Sequence, residues 1–114
     1  MGSALSSKSY SPEKMSQIKD LVDAQLASNE NIVYSKTFCP YCTKAKNELH
    51  KLNIKYKLIE LDQEPEGDAI QQYLAQKTGQ RTVPNIFLNS AHVGGCDDLI
   101  KSIKSGQISK SLAN

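Results

Sequence analysis

Cys39 and Cys42, separated by Pro40 and Tyr41, are the residues of this chain best placed to do chemistry. Two cysteines at i and i+3 where a helix begins hold their sulfurs close enough to make and break a strained disulfide. The first sulfur lies at the positive end of the helix, where free backbone N–H groups stabilise a thiolate. Pro40 takes the first helical position, where a missing N–H costs nothing. This pattern makes Cys39 the exposed nucleophile and Cys42 the shielded resolving thiol, with Lys36 adding a positive charge three residues upstream. A zinc site is a competing use of such a pair, but tetrahedral zinc needs four ligands. Cys96, His50 and His92 form no second pair, so no metal is expected. Two inert thiols are the remaining alternative, and the strand–Cys-x-x-Cys–helix context favours redox chemistry over it.

The elements that must present this pair can be read from periodicity. Ser11-Pro12-Glu13 has the composition of a helix start: a hydroxyl cap, a proline at the first position and an acid against the dipole. Met15, Ile18, Leu21, Val22 and Leu26 follow on one helical face. Asn31 to Ser35 reads as a strand leading into Cys39. Ala45, Leu49 and Leu52 mark the helix after it, ending near Asn53. Tyr56 to Leu61 reads as a second strand, and Asp62 to Gly67 as a loop. Ile70, Tyr73 and Leu74 define a third helix closed by Gly79. Ile86 to Leu88 and Ala91 to Val93 form a hairpin across Asn89-Ser90. Leu99, Ile100 and Ile103 make a fourth helix ending near Gly106, and a last turn carries Ile108 and Leu112. The order α-β-α-β-α-β-β-α predicts an α/β fold: a mixed four-stranded sheet with helices on both faces.

Bulk properties narrow the function classes. The chain has 114 residues, of which 39% are hydrophobic, which suits one domain. Fourteen basic against twelve acidic residues leave +2, too little for a dedicated nucleic-acid binder. No apolar run approaches the length of a membrane span. Three cysteines are too few, and odd in number, for a secreted disulfide framework. Residues 1–11 hold five serines and little apolar matter, so they read as a disordered arm before a domain spanning 12–114. The arm has neither the apolar core of a secretory signal nor the arginines of a mitochondrial presequence. A reducing compartment is therefore expected, the cytoplasm in preference to the mitochondrion.

Beyond Cys39-Pro-Tyr-Cys42, the chain carries Thr82-Val83-Pro84 and Gly94-Gly95-Cys96-Asp97-Asp98. From about Met15 to Leu112 it resembles the dithiol glutaredoxins, which share these three motifs in this order and at these distances. Thioredoxins have a Trp before their first cysteine, and this chain has no Trp. The resemblance implies a thioredoxin-like fold and a glutathione-dependent thiol–disulfide oxidoreductase, with Cys39 and Cys42 as its couple. It implies a cis bond before Pro84, with the Val83 backbone turned toward the thiols. It also implies that glutathione, a co-substrate, lies along Lys36, Tyr41, Gln71, Thr82, Val83, Pro84, Gly95, Cys96, Asp97 and Asp98. Lys36 and Gln71 suit its glycine carboxylate. The Cys96 and Asp97 N–H groups suit its γ-glutamyl carboxylate, and Asp97 or Asp98 its ammonium. Partners implied are glutathionylated or disulfide-containing proteins and, indirectly, glutathione reductase, with the chain a monomer that contacts neither nucleic acid nor membrane. Some relatives instead hold a [2Fe–2S] cluster between two subunits. Those usually carry Ser or Gly at the position of Pro40, which disfavours that use here. Reduction by a thioredoxin-type flavoenzyme is disfavoured by the missing Trp.

Overall fold

Ser11 caps helix α1 (Pro12–Ser28) as expected, its side-chain oxygen accepting from the Lys14 N–H at 3.0 Å. The structure, a computed structural model, describes residues 9–108. Of the stretch read as an arm, residues 1–8 lie outside the described residues, as does Leu112. Tyr10 is described: its ring packs against the core and its hydroxyl donates to Asp68 at 2.9 Å.

Strand β1 (Ile32–Ser35) leads through a short turn to α2 (Pro40–Lys51), which returns the chain to β2 (Lys57–Glu60). A 3-10 turn at Leu61–Gln63 precedes α3 (Gly67–Thr78). The hairpin β3 (Asn85–Leu88) and β4 (Ala91–Gly94) then leads into α4 (Cys96–Lys104). The four strands form one sheet in the order β2-β1-β3-β4. β1 and β2 are parallel, whereas β1–β3 and β3–β4 are antiparallel, giving the expected mixed sheet. Asn89 and Ser90 both have positive φ, 55° and 64°, as a two-residue hairpin turn matched to strand twist requires.

All four residues of β1 are buried, which accounts for its unbroken apolar run in the centre of the sheet. Its side chains alternate between two cores. Ile32 and Tyr34 pack with Ile59 and Phe87 beneath Ile18 and Val22 of α1 and Ile70, Tyr73 and Leu74 of α3. Val33 packs on the other face with Ile86 and Leu88 beneath Ala45 and Leu49 of α2 and Leu99 of α4. Ile108 closes this second core. Leu21 departs from expectation and is 40% exposed. It stands one residue, about 100° of helical turn, from Val22, which puts it beyond the buried stripe.

Candidate active site

β1 ends at the buried Ser35, and the next three residues turn the chain so that the Cys39 N–H donates to the Lys36 carbonyl at 3.2 Å. Cys39 is the N-cap of α2, and the Thr43 N–H closes the first helical turn onto its carbonyl at 3.1 Å. Its side chain makes no cap hydrogen bond and no acidic residue occupies the first turn, so the positive helix end is left to a thiolate. Cys39 is partly exposed and Cys42 fully buried, as the pattern predicted, and both are free thiols. Burial pushes the Cys42 thiol up. The neighbouring Lys36 N–H and Ser35 hydroxyl pull the other way.

Facing Cys39 is the loop between α3 and β3. The Val83–Pro84 bond is cis, and the Cys39 sulfur lies 3.8 Å from the Val83 carbonyl it donates to. A groove of about 410 Å³ runs from this loop to the start of α4, lined by Tyr41, Thr82, Val83, Pro84, Gly95, Cys96, Asp97 and Asp98, together with Gln80. Eight of the ten residues expected to line a glutathione site are thus brought together. The other two, Lys36 and Gln71, lie in a separate open cavity of about 670 Å³ with Arg81 and Gly79. There the Gln71 side-chain amide donates to the Arg81 carbonyl at 2.9 Å.

The two aspartates at the start of α4 differ. Both are exposed at the groove, but Asp98 accepts from the Gly95 N–H at 3.1 Å and caps the helix. Gly94 has φ 120°, and a Cβ there would stand 2.3 Å from the Asp98 carboxylate, so this cap requires a glycine. Cys96 is buried, and burial pushes its thiol up against the opposing pull of Lys44, which suits packing better than reaction.

Two supports went unnoticed in the sequence. Asp62, in the turn after β2, accepts from both the N–H and the hydroxyl of Thr37, two residues before Cys39. These bonds pull its carboxyl down to about 2. The Gln80 amide donates to the carbonyls of Thr82 at 3.1 Å and Pro84 at 2.9 Å, holding the loop on either side of Val83. Neither residue lies in a motif, and each reaches its partner only once the chain has folded. Among the described residues no group of three or more His, Cys, Asp or Glu is arranged to hold a metal ion. No helix among them is long and apolar enough to cross a membrane.

A dithiol at a bare helix N-terminus, facing a cis proline loop on a four-stranded mixed sheet, defines a thiol–disulfide oxidoreductase of the thioredoxin-like fold. Comparison with known proteins narrows the class. Residues 31–93 match the glutaredoxin family model. The chain is 52% identical over 99 residues to Glutaredoxin-1 of Rhizophagus irregularis, covering 87% of this chain and 98% of that one. It is 49% identical over 94 residues to a glutaredoxin of Ricinus communis, covering 82% and 88% respectively. Among solved structures, a crystallised buckwheat glutaredoxin–glutathione complex superposes with a TM-score of 0.83 at 42% identity, over 86% of this chain and 89% of that one. The chain belongs to the glutaredoxin family and is a glutaredoxin oxidoreductase.

Proposed function

We propose that this glutaredoxin uses glutathione to reduce protein–glutathione mixed disulfides and protein disulfides through Cys39 and Cys42. The observation that carries the reading is the groove between the Val83 loop and the start of α4, whose Val83 wall meets the Cys39 sulfur. Glutathione offers a peptide-like backbone, two carboxylates and an ammonium. The Val83 backbone suits the first, as an added strand would. The Cys96 and Asp97 N–H groups at the start of α4 suit the γ-glutamyl carboxylate, and the exposed Asp97 suits the ammonium. Lys36 and Gln71, with Arg81 beside them, suit the glycine carboxylate. The glutathione held by the buckwheat relative supports this assignment.

The Cys39 thiolate attacks the glutathione sulfur of a mixed disulfide, and the protein thiolate leaves with the electron pair of the broken bond. A second glutathione thiolate attacks Cys39–SG, releasing oxidised glutathione and restoring the Cys39 thiolate. With a protein disulfide, Cys42 attacks the Cys39 mixed disulfide instead, and two glutathiones later reduce the Cys39–Cys42 bond. Phe38 and Tyr41, 73% and 62% exposed beside the nucleophile, give protein substrates an apolar rim. The protein acts as a monomer in the cytoplasm, where glutathione is kept reduced.

Turnover coupled to glutathione and glutathione reductase, set against thioredoxin reductase, tests the co-substrate. Cys39→Ser should abolish both reactions, whereas Cys42→Ser should keep deglutathionylation and lose protein-disulfide reduction. Turnover driven by thioredoxin reductase alone would overturn the reading.

A further inference from the structure

The loop that faces Cys39 hangs from the end of α3 by a chain of hydrogen bonds. Gln80 follows Gly79, the left-handed C-cap of that helix. Its N–H donates to the Thr78 hydroxyl oxygen at 3.1 Å, and that hydroxyl donates to the Leu74 carbonyl at 2.7 Å. The Gln80 backbone is thereby fastened to the last turn of α3. From this anchor the side-chain nitrogen donates to two carbonyls, Thr82 at 3.1 Å and Pro84 at 2.9 Å. A carboxamide nitrogen carries two hydrogens, and this bridge uses both. The residue it spans is Val83, whose carbonyl accepts from the Cys39 thiol at 3.8 Å. Pro84 is buried one residue before β3 begins, and a buried carbonyl needs a donor. The bridge also touches the opposite wall of the groove. A Cβ on Gly95 would stand 3.7 Å from the Pro84 carbonyl oxygen and 3.8 Å from the Gln80 nitrogen, so Gly95 lies against this bond.

We propose that Gln80 is a positioning residue that sets the affinity of the groove for peptide-like mixed disulfides, by holding the Val83 backbone in the conformation that receives them. This inference rests on the reading of the groove proposed above. The amide is uncharged and spends both hydrogens on carbonyls, so it acts on binding and leaves the reactivity of the Cys39 sulfur alone. Without the bridge, the loop between α3 and β3 visits further conformations. Apparent affinity then falls by the fraction of time the competent one is held. Ground state and transition state use the ordered loop equally, so the loss falls on KM and spares kcat. A reagent too small to lie along the Val83 backbone loses nothing.

The test compares the full wild-type chain with Gln80→Met, which keeps the length of the side chain and lacks both donors. Rates on a glutathionylated peptide, at saturating glutathione with glutathione reductase, should show KM raised about fivefold to tenfold and kcat within about twofold. Alkylation of Cys39 by iodoacetamide should proceed at the wild-type rate. Gln80→Glu, which sets a carboxylate against the two carbonyls, should raise KM at least as far. All rates are taken well below the melting temperatures of the variants, so that lost stability does not imitate the split. An unchanged KM in Gln80→Met would overturn the proposal. So would a joint fall in kcat and in alkylation, which would make Gln80 a general prop of the site. Absence of glutathione-driven turnover in wild type would sink the proposed function and this inference with it. Wild-type turnover with an unaffected Gln80→Met strikes the inference alone.

Discussion

At the scale of single residues, the nucleophile is held by groups that do no chemistry themselves. Asp62 fastens Thr37 through two hydrogen bonds, and Thr37 sits in the turn that delivers Cys39 to the start of α2. Its carboxyl is lowered from the ordinary value of 3.8 to about 2, chiefly by the Thr37 hydroxyl and then by the Thr37 N–H. A lowered carboxyl stabilises the fold wherever it is ionised and the unfolded chain's carboxyl is too. The contribution is present above about pH 4 and disappears as the pH falls through about 2. Thermal melts of wild type and Asp62→Asn should therefore differ at pH 6 and converge between about pH 4 and pH 2. A gap of constant size down to pH 2 would show that the carboxylate charge is not what Thr37 holds.

Elements reach the site by approaching one another more closely than side chains permit. Gly67 opens α3 directly against the 3-10 turn that carries Asp62. A Cβ on Gly67 would fall 1.8 Å from the Leu61 carbonyl oxygen, so the backbone itself would have to move. Gly67→Ala should cost about 1–3 kcal/mol by overpacking and lower the melting temperature on the order of 10 °C. Because the turn beneath Thr37 moves as well, the variant should also alkylate Cys39 at a changed rate. Gly79→Ala is the matched control: its φ of 81° makes alanine unfavourable, yet a Cβ there meets nothing within 4 Å. It should destabilise modestly and leave Cys39 alkylation alone. Equal effects of the two substitutions would refute a special role for the Gly67 approach.

Across the whole molecule, a net charge of +2 conceals an uneven distribution around the site. Lys36 and Arg81 line the same open cavity, and Lys36 forms no ion pair among the described residues. An unpaired cation of this kind attracts an anionic co-substrate over a distance of about 8 Å at physiological salt. Lys36→Gln should raise the KM for a glutathione mixed disulfide a few-fold at low ionic strength with little change in kcat. The difference should shrink as salt is added. A loss in kcat that salt does not alter would place Lys36 in the chemistry instead.

Sequence alone determined the order and type of the elements, because apolar periodicity, Ser11, Pro40 and Gly79 act locally. The same local logic set the roles of the dithiol: Cys39 opens a helix and Cys42 falls one turn inside it, so exposure differs before any tertiary contact forms. What periodicity overstated was Leu21, since a stripe has a width that only the packed neighbour defines. Tertiary structure decided the rest. It gathered Tyr41, the Val83 loop and the start of α4 into one groove, set Lys36 and Gln71 in another, and brought Asp62 to Thr37 across 25 residues. It also set Glu60 beside Ser35 through the register of two parallel strands, which no spacing along the chain encodes. Helix starts and turns are short-range features written in neighbouring residues. Grooves and clamps depend on contacts between distant segments, which exist only once the sheet has formed.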